Sequence, residues 1–157
     1  MRILVVFYSH SGRTRQVAAE IARRCGADME EVLDARPSAG ACAALRSIWD
    51  SLTGAVPPIE TPSRDPADYD LVILGTPAWA WRVASPMRSY VMGNVLRFRR
   101  VAFFCTQAGS GKGPVFSELR RLCHQTPVST LFVTETSLAE PTQQEPFQNF
   151  TKRLMSA

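Results

Sequence analysis

No stretch of this 157-residue sequence approaches the apolar length needed to cross a bilayer, so a membrane span is not expected. Cysteine is scarce and never closely paired. Cys25, Cys42, Cys105 and Cys123 form no CxxC, which leaves no readable zinc or dithiol redox site and predicts reduced thiols. Cys105 ends an expected strand near a candidate site, yet core packing suits it best. The only two histidines, His10 and His124, have no partners at metal-ligand spacing, and His10 reads as an exposed loop residue. No carboxylate pair or Ser/His/Asp arrangement is legible, so neither metal-dependent nor hydrolytic catalysis is expected. The opening MRILVVFYSHSG lacks a small-residue cleavage pattern after its apolar run. It reads as a first buried strand, and a cytoplasmic protein is expected.

The hydrophobic share of 45% and charged share of 20% suit one globular domain over residues 1–157 with a continuous core. Basic residues outnumber acidic ones by 18 to 14, which opens the question of nucleic acid as a partner. Their distribution argues against it. Arg23/Arg24, Arg97/Arg99/Arg100 and Arg120/Arg121 are scattered over expected helix ends and outer faces.

Ile3 to Tyr8 is an almost unbroken β-branched and aromatic run, the pattern of a strand covered on both faces in a parallel sheet. After the polar loop, Val17, Ala18, Ile21, Ala22 and Cys25 recur at helical spacing, and Gly26 supplies the stop. Met29 to Leu33 predicts a second strand, and Leu45, Ile48, Trp49 and Leu52 mark an amphipathic helix ending at Gly54. Four prolines between Val56 and Ala67 predict an extended connection into the strand Leu71 to Thr76. Ser85 is the expected N-cap, with Pro86 first in a helix to about Leu96 and Met87, Tyr90 and Val91 inward. Strands follow at Val101 to Thr106 and Thr130 to Thr134. The helix between them opens at Pro114, and Phe147, Phe150 and Leu154 make the inner face of a last one. This alternation predicts a doubly wound three-layer α/β sandwich with a five-stranded parallel sheet. Its ligand site is expected beyond the carboxyl ends of the strands.

Three loops lie there. Ser9, His10, Ser11, Gly12, Arg13 and Thr14 offer hydroxyls and backbone N–H groups at a helix N-terminus, the chemistry that a phosphate needs. An ordinary Ser/Thr cap uses the same residues. Pro77, Ala78, Trp79, Ala80 and Trp81 place two indoles just past a buried strand, a wall for a flat ring or packing for a neighbouring helix. Thr106, Gln107, Ala108, Gly109, Ser110 and Gly111 are small enough for backbone to approach the edge of a planar ligand, or for a tight turn. GSGKG is not a nucleotide P-loop, because Thr106 and Gly113 stand where that motif needs Gly and Ser or Thr.

Together SHSGRT, LVILGTPAWAW and FFCTQAGSG resemble the phosphate loop and the two ring-flanking loops of the flavodoxin family, across essentially the whole chain. That resemblance implies strand order 2-1-3-4-5 and one non-covalent FMN at the carboxyl ends of the strands. Ser9, Ser11, Gly12, Arg13 and Thr14 are then implied to hold the phosphate, with the other two loops flanking the ring. It further implies electron transfer with a redox partner protein; the alternative is an NAD(P)H-dependent flavin or quinone reductase. A module of this fold that binds a partner or another phosphate ligand is a third reading. The sequence departs from the well-known carriers in three ways. It is basic where they are acidic, PAWAW lacks the glycine that lets a peptide flip toward the reduced ring, and the loop after the fourth strand lacks the tyrosine that often covers the outer ring face.

Overall fold

Apolar runs that no exposed strand tolerates make the middle of one parallel sheet. In the computed structural model, β1 (Ile3–Phe7), β3 (Leu71–Trp79) and β5 (Val101–Gln107) are central, with β2 (Asp28–Glu31) and β6 (Thr130–Thr134) outside them. The order is β2-β1-β3-β5-β6, and a short β4 (Arg82–Val83) folds back antiparallel onto the end of β3. Counted without β4, this is the order 2-1-3-4-5. The structure describes residues 1–36, 41–107, 114–134 and 144–156, and of 41–44 and 47 the backbone alone. Ala108, Gly109, Ser110 and Gly111 lie outside the described residues, as does the side chain of Cys42.

The pleat sends alternate residues of β1 into two cores. Ile3, Val5 and Phe7 meet α1 (Arg13–Cys25) and α5 (Gln144–Met155) through Val17, Ile21, Phe147, Phe150 and Leu154. Leu4, Val6 and Tyr8 meet α3 (Ser85–Asn94) and α4 (Val115–Cys123) through Met87, Tyr90, Val91, Val115 and Leu119. Helix α2 (Ala41–Thr53) lies against α3, where Arg88 donates to the carbonyls of Ser51 at 3.2 Å and Ala55 at 3.0 Å.

Several expected boundaries move for physical reasons. β2 stops at Glu31 because its partner β1 stops at Phe7. β3 runs past Thr76, since Pro77 still pairs with Thr106, and Ala78 and Trp79 pair with Val83 and Arg82. Ser85 is inside α3, whose N-cap is Ala84, and makes no side-chain cap. The N–H of Ala84 is taken instead by the Thr76 hydroxyl at 3.1 Å. The largest departure is α2, whose apolar stripe faces out: Leu45, Ile48, Trp49 and Leu52 are all exposed.

One buried ion pair ties the second core to the end of β3. Arg88 Nη2 donates to Glu118 Oε1 at 2.8 Å, and both side chains are almost fully buried. Glu118 Oε2 also accepts from the Val83 N–H and from Arg82 Nε, both at 3.1 Å, so one carboxylate holds α3, α4 and β4 together. Burial alone raises the Glu118 pKa, but the hydrogen bonds from Arg88, Val83 and Arg82 outweigh it and hold the carboxyl below the usual glutamate range.

A Cβ on Gly75 meets the Phe104 ring directly across the β3–β5 pair, so Gly75→Ala is expected to cost about 1–3 kcal/mol. Thermal melting should show this as a drop of roughly 3–10 °C; an unchanged midpoint contradicts the contact. Glu118→Gln breaks the buried pair and should cost about 3–5 kcal/mol at neutral pH. A carboxyl with a lowered native pKa stabilises the fold fully above its unfolded value near 4.3, and that contribution disappears as pH falls through the native value. Denaturant melts from pH 7 down to 3 should therefore be less steeply acid-dependent in Glu118→Gln than in the parent.

Candidate functional site

The two helices that follow β1 and β3 lie on opposite faces of the sheet, which leaves a cleft beyond the strand ends where the order reverses. A cavity of about 200 Å³ occupies it, lined by His10, Ser11, Arg13, Thr14, Pro77, Ala78, Trp79, Thr106, Gln107, Val133 and Thr134. Residues from all three expected loops therefore share one cleft. Val133 and Thr134 come from the end of β6, which sequence reasoning passed over because a strand end there carries no loop signature.

The first loop is shaped by its own backbone. Gly12 is the N-cap of α1 at φ 88°, a conformation that favours glycine, and no atom stands within 4 Å of where its Cβ would be. The Ser9 hydroxyl accepts from the N–H groups of Gly12 at 3.1 Å and Arg15 at 3.3 Å. Ser9 and Gly12 thus build the turn, while Ser11, Arg13 and Thr14 face the cavity. Arg15 is turned away onto Glu31, at 2.6 Å. Thr14 Oγ1 lies 2.8 Å from Thr106 Oγ1, a buried hydrogen bond that fastens the α1 N-terminus to the end of β5 across 92 residues.

The second loop is a hairpin rather than an open loop. Trp79 and Arg82 pair across a two-residue turn in which Ala80 and Trp81 have φ of 48° and 60°. Side chains cost about 1–2 kcal/mol each in that region. Asn-Gly is the usual choice there. The hairpin is held at its base by Thr76 on Ala84 and by Glu118 on Val83. Ala80 and Trp81 sit at its tip and are exposed, so they do not line the cavity as expected. Trp79 does, half-buried, with the Tyr8 ring edge-on at 5.5 Å and the His10 ring edge-on at 5.8 Å. His10 is exposed as expected, but it also braces the tryptophan.

Among the described lining residues none is acidic, while Arg13 and the α1 N-terminus bring positive charge. This donor set suits an anion. Burial pushes the Cys105 thiol up to about 12, so it stays neutral within the sheet, in keeping with core packing. The Tyr8 phenol is likewise pushed up to about 12, by burial first and the Asp34 charge second. Glu118 and Arg88, the residues that fix the hairpin, were not legible as site residues.

Among the described residues no helix is long and apolar enough to cross a membrane. No curated protein sequence matches the chain significantly. The profile of the flavodoxin family matches residues 2–147. Among solved structures, a flavoprotein from Lactobacillus acidophilus in complex with FMN is 22% identical, with a TM-score of 0.70 over 88% of this chain and 96% of that one. The two-electron reduced flavodoxin of Megasphaera elsdenii is 20% identical, with a TM-score of 0.58 over 96% and 98%. An NADH:FMN oxidoreductase in its apo form is 13% identical, with a TM-score of 0.63 over 99% and 90%. Identities this low speak for the fold, and the match of the profile over 2–147 carries the assignment: the chain belongs to the flavodoxin family.

Proposed function

We propose that the chain binds one FMN without a covalent bond in this cleft and works as an electron-transfer flavoprotein. One observation carries the reading: a helix N-terminus with Ser11, Arg13 and Thr14, the ring of Trp79, and the polar end of β5 at Thr106 and Gln107 open onto the same cavity. The residues suit the cofactor. A phosphate takes hydroxyl, N–H and guanidinium donors, and no described acidic residue lines the cavity to repel it. Gly12 at positive φ lets the loop backbone approach closely. In this reading Ser9 and Gly12 shape the phosphate loop, Pro77, Ala78 and Trp79 flank the ring from one side, and Thr106 and Gln107 approach it from the end of β5.

When bound, FMN supplies one- and two-electron transfer through its ring. The chain binds and orients it. The Trp79 wall is steadied by Tyr8 and His10, and its hairpin by Glu118. With Tyr8 and Cys105 both near 12, neither exchanges a proton at neutral pH. The family membership and the FMN in the Lactobacillus acidophilus structure support the reading. A second reading, an NAD(P)H-dependent flavin or quinone reductase, is favoured by the net charge of +4, which suits an anionic nucleotide. The structural likeness to an NADH:FMN oxidoreductase points the same way.

Removing a hydroxyl that bonds a charged phosphate costs about 1.5–3 kcal/mol. Ser11→Ala should therefore weaken FMN binding roughly 10- to 150-fold in a fluorescence titration. Trp79→Ala should weaken it too and brighten the bound flavin, while Leu96→Ala, at a residue 97% exposed, should change neither. Unchanged affinity in both Ser11→Ala and Trp79→Ala overturns the site. Mixing the FMN-loaded chain with NADH or NADPH without oxygen separates the two readings. An electron-transfer protein keeps its flavin absorbance until a flavoprotein reductase is added, and prompt stoichiometric bleaching by the nucleotide alone assigns the reductase.

A further inference from the structure

Helix α2 is inverted relative to an ordinary surface helix. Its Ser51 is fully buried and Asp50 is 9% exposed, and Asp50 pairs with Arg36 at 2.7 Å. Leu45, Ile48, Trp49 and Leu52, spaced i, i+3, i+4 and i+7, are 68%, 41%, 67% and 49% exposed. That spacing is one stripe along one helix face. Rolling the helix to hide the stripe would draw Asp50 away from Arg36 and Ser51 out of the interior, and the carbonyls of Ser51 and Ala55 are already held by the buried Arg88. The polar anchor therefore fixes the apolar face outward.

We propose that this stripe is the contact face of a homodimer, in which a second copy of the chain lays its own α2 across it about a twofold axis. Three features select a second copy. The stripe contains no charged residue, so it is complementary to itself, as a twofold interface requires, and it brings no like charges face to face. Four side chains this open leave on the order of 500 Å² per copy, or about 1,000 Å² over two, where specific interfaces begin. Trp49 stands within the stripe, and tryptophan is the residue type that most often anchors an interface. The helix is about 20 Å long, enough for the four residues of each copy to interdigitate in a helix pair.

Light scattering after size exclusion, with sedimentation equilibrium at micromolar concentrations, tests this on the full chain with and without FMN. The parent should have twice the chain mass. Leu45→Glu/Trp49→Glu should weaken association at least about 30-fold with unchanged circular dichroism, because neither side chain is in the core, and its melting midpoint should no longer rise with protein concentration as the parent's does. Should that double variant fold poorly, Trp49→Ser alone should still weaken the dimer. A parent that is monomeric at several hundred micromolar overturns the proposal, and so does a dimer that survives both variants. A monomer that co-sediments with anionic phospholipid vesicles through the same residues overturns it as well and transfers the stripe to a membrane surface. None of these outcomes depends on whether FMN binds.

Discussion

Parallel neighbours in a sheet can be joined only by a crossover, and the right-handedness of crossovers decides on which face each helix lies. Because β2 and β3 flank β1 on opposite sides, the chain leaving β1 turns to one face and the chain leaving β3 to the other. The two helices diverge, and the ends of β1 and β3 are left uncovered. Everything at the site depends on this split. It sets the N-terminus of α1, the hairpin after β3 and the end of β5 around one cavity, with the Thr14–Thr106 hydrogen bond fastening its far sides together. The cores behind the cavity, one with Phe150 and Ile21, the other with Tyr90 and Leu119, keep those ends in place.

A second constraint is electrostatic. The hairpin that carries Trp79 turns through two residues at positive φ, neither of them glycine, and so it needs an external hold. Glu118 supplies that hold through Val83 and Arg82, while Arg88 neutralises it and reaches on to the backbone of α2. The wall of the cleft and the outward-facing helix are thus joined to one buried pair. Losing either charge leaves the other in a low-dielectric interior, where the cost is large.

Much of this architecture was legible. Continuous apolar runs gave β1 and β5, helical spacing gave the inner faces of α1 and α5, and Gly26 ended α1 in the left-handed conformation that glycine favours. The loops were legible by residue type. What escaped depends on contacts distant in sequence or on signals the residues do not carry. Ala80-Trp81 contains no turn residue, so nothing in the sequence marks the hairpin. Glu118 sits beside Arg120 and Arg121 like any surface acid, and its partner Arg88 is 30 residues away. The stripe of α2 reveals an amphipathic helix, but which face turns inward is decided by Asp50 and Arg88, not by hydrophobicity.

Occupancy by FMN of the cleft where the strand order reverses can be read out by amide chemical-shift mapping of the isotope-labelled chain during an FMN titration. Saturation is expected at one FMN per chain, with the largest shifts at Ser11, Gly12, Thr14, Trp79, Thr106 and Gln107 and little change on the outward face of α2. Shifts concentrated elsewhere, or a spectrum indifferent to FMN, would contradict it.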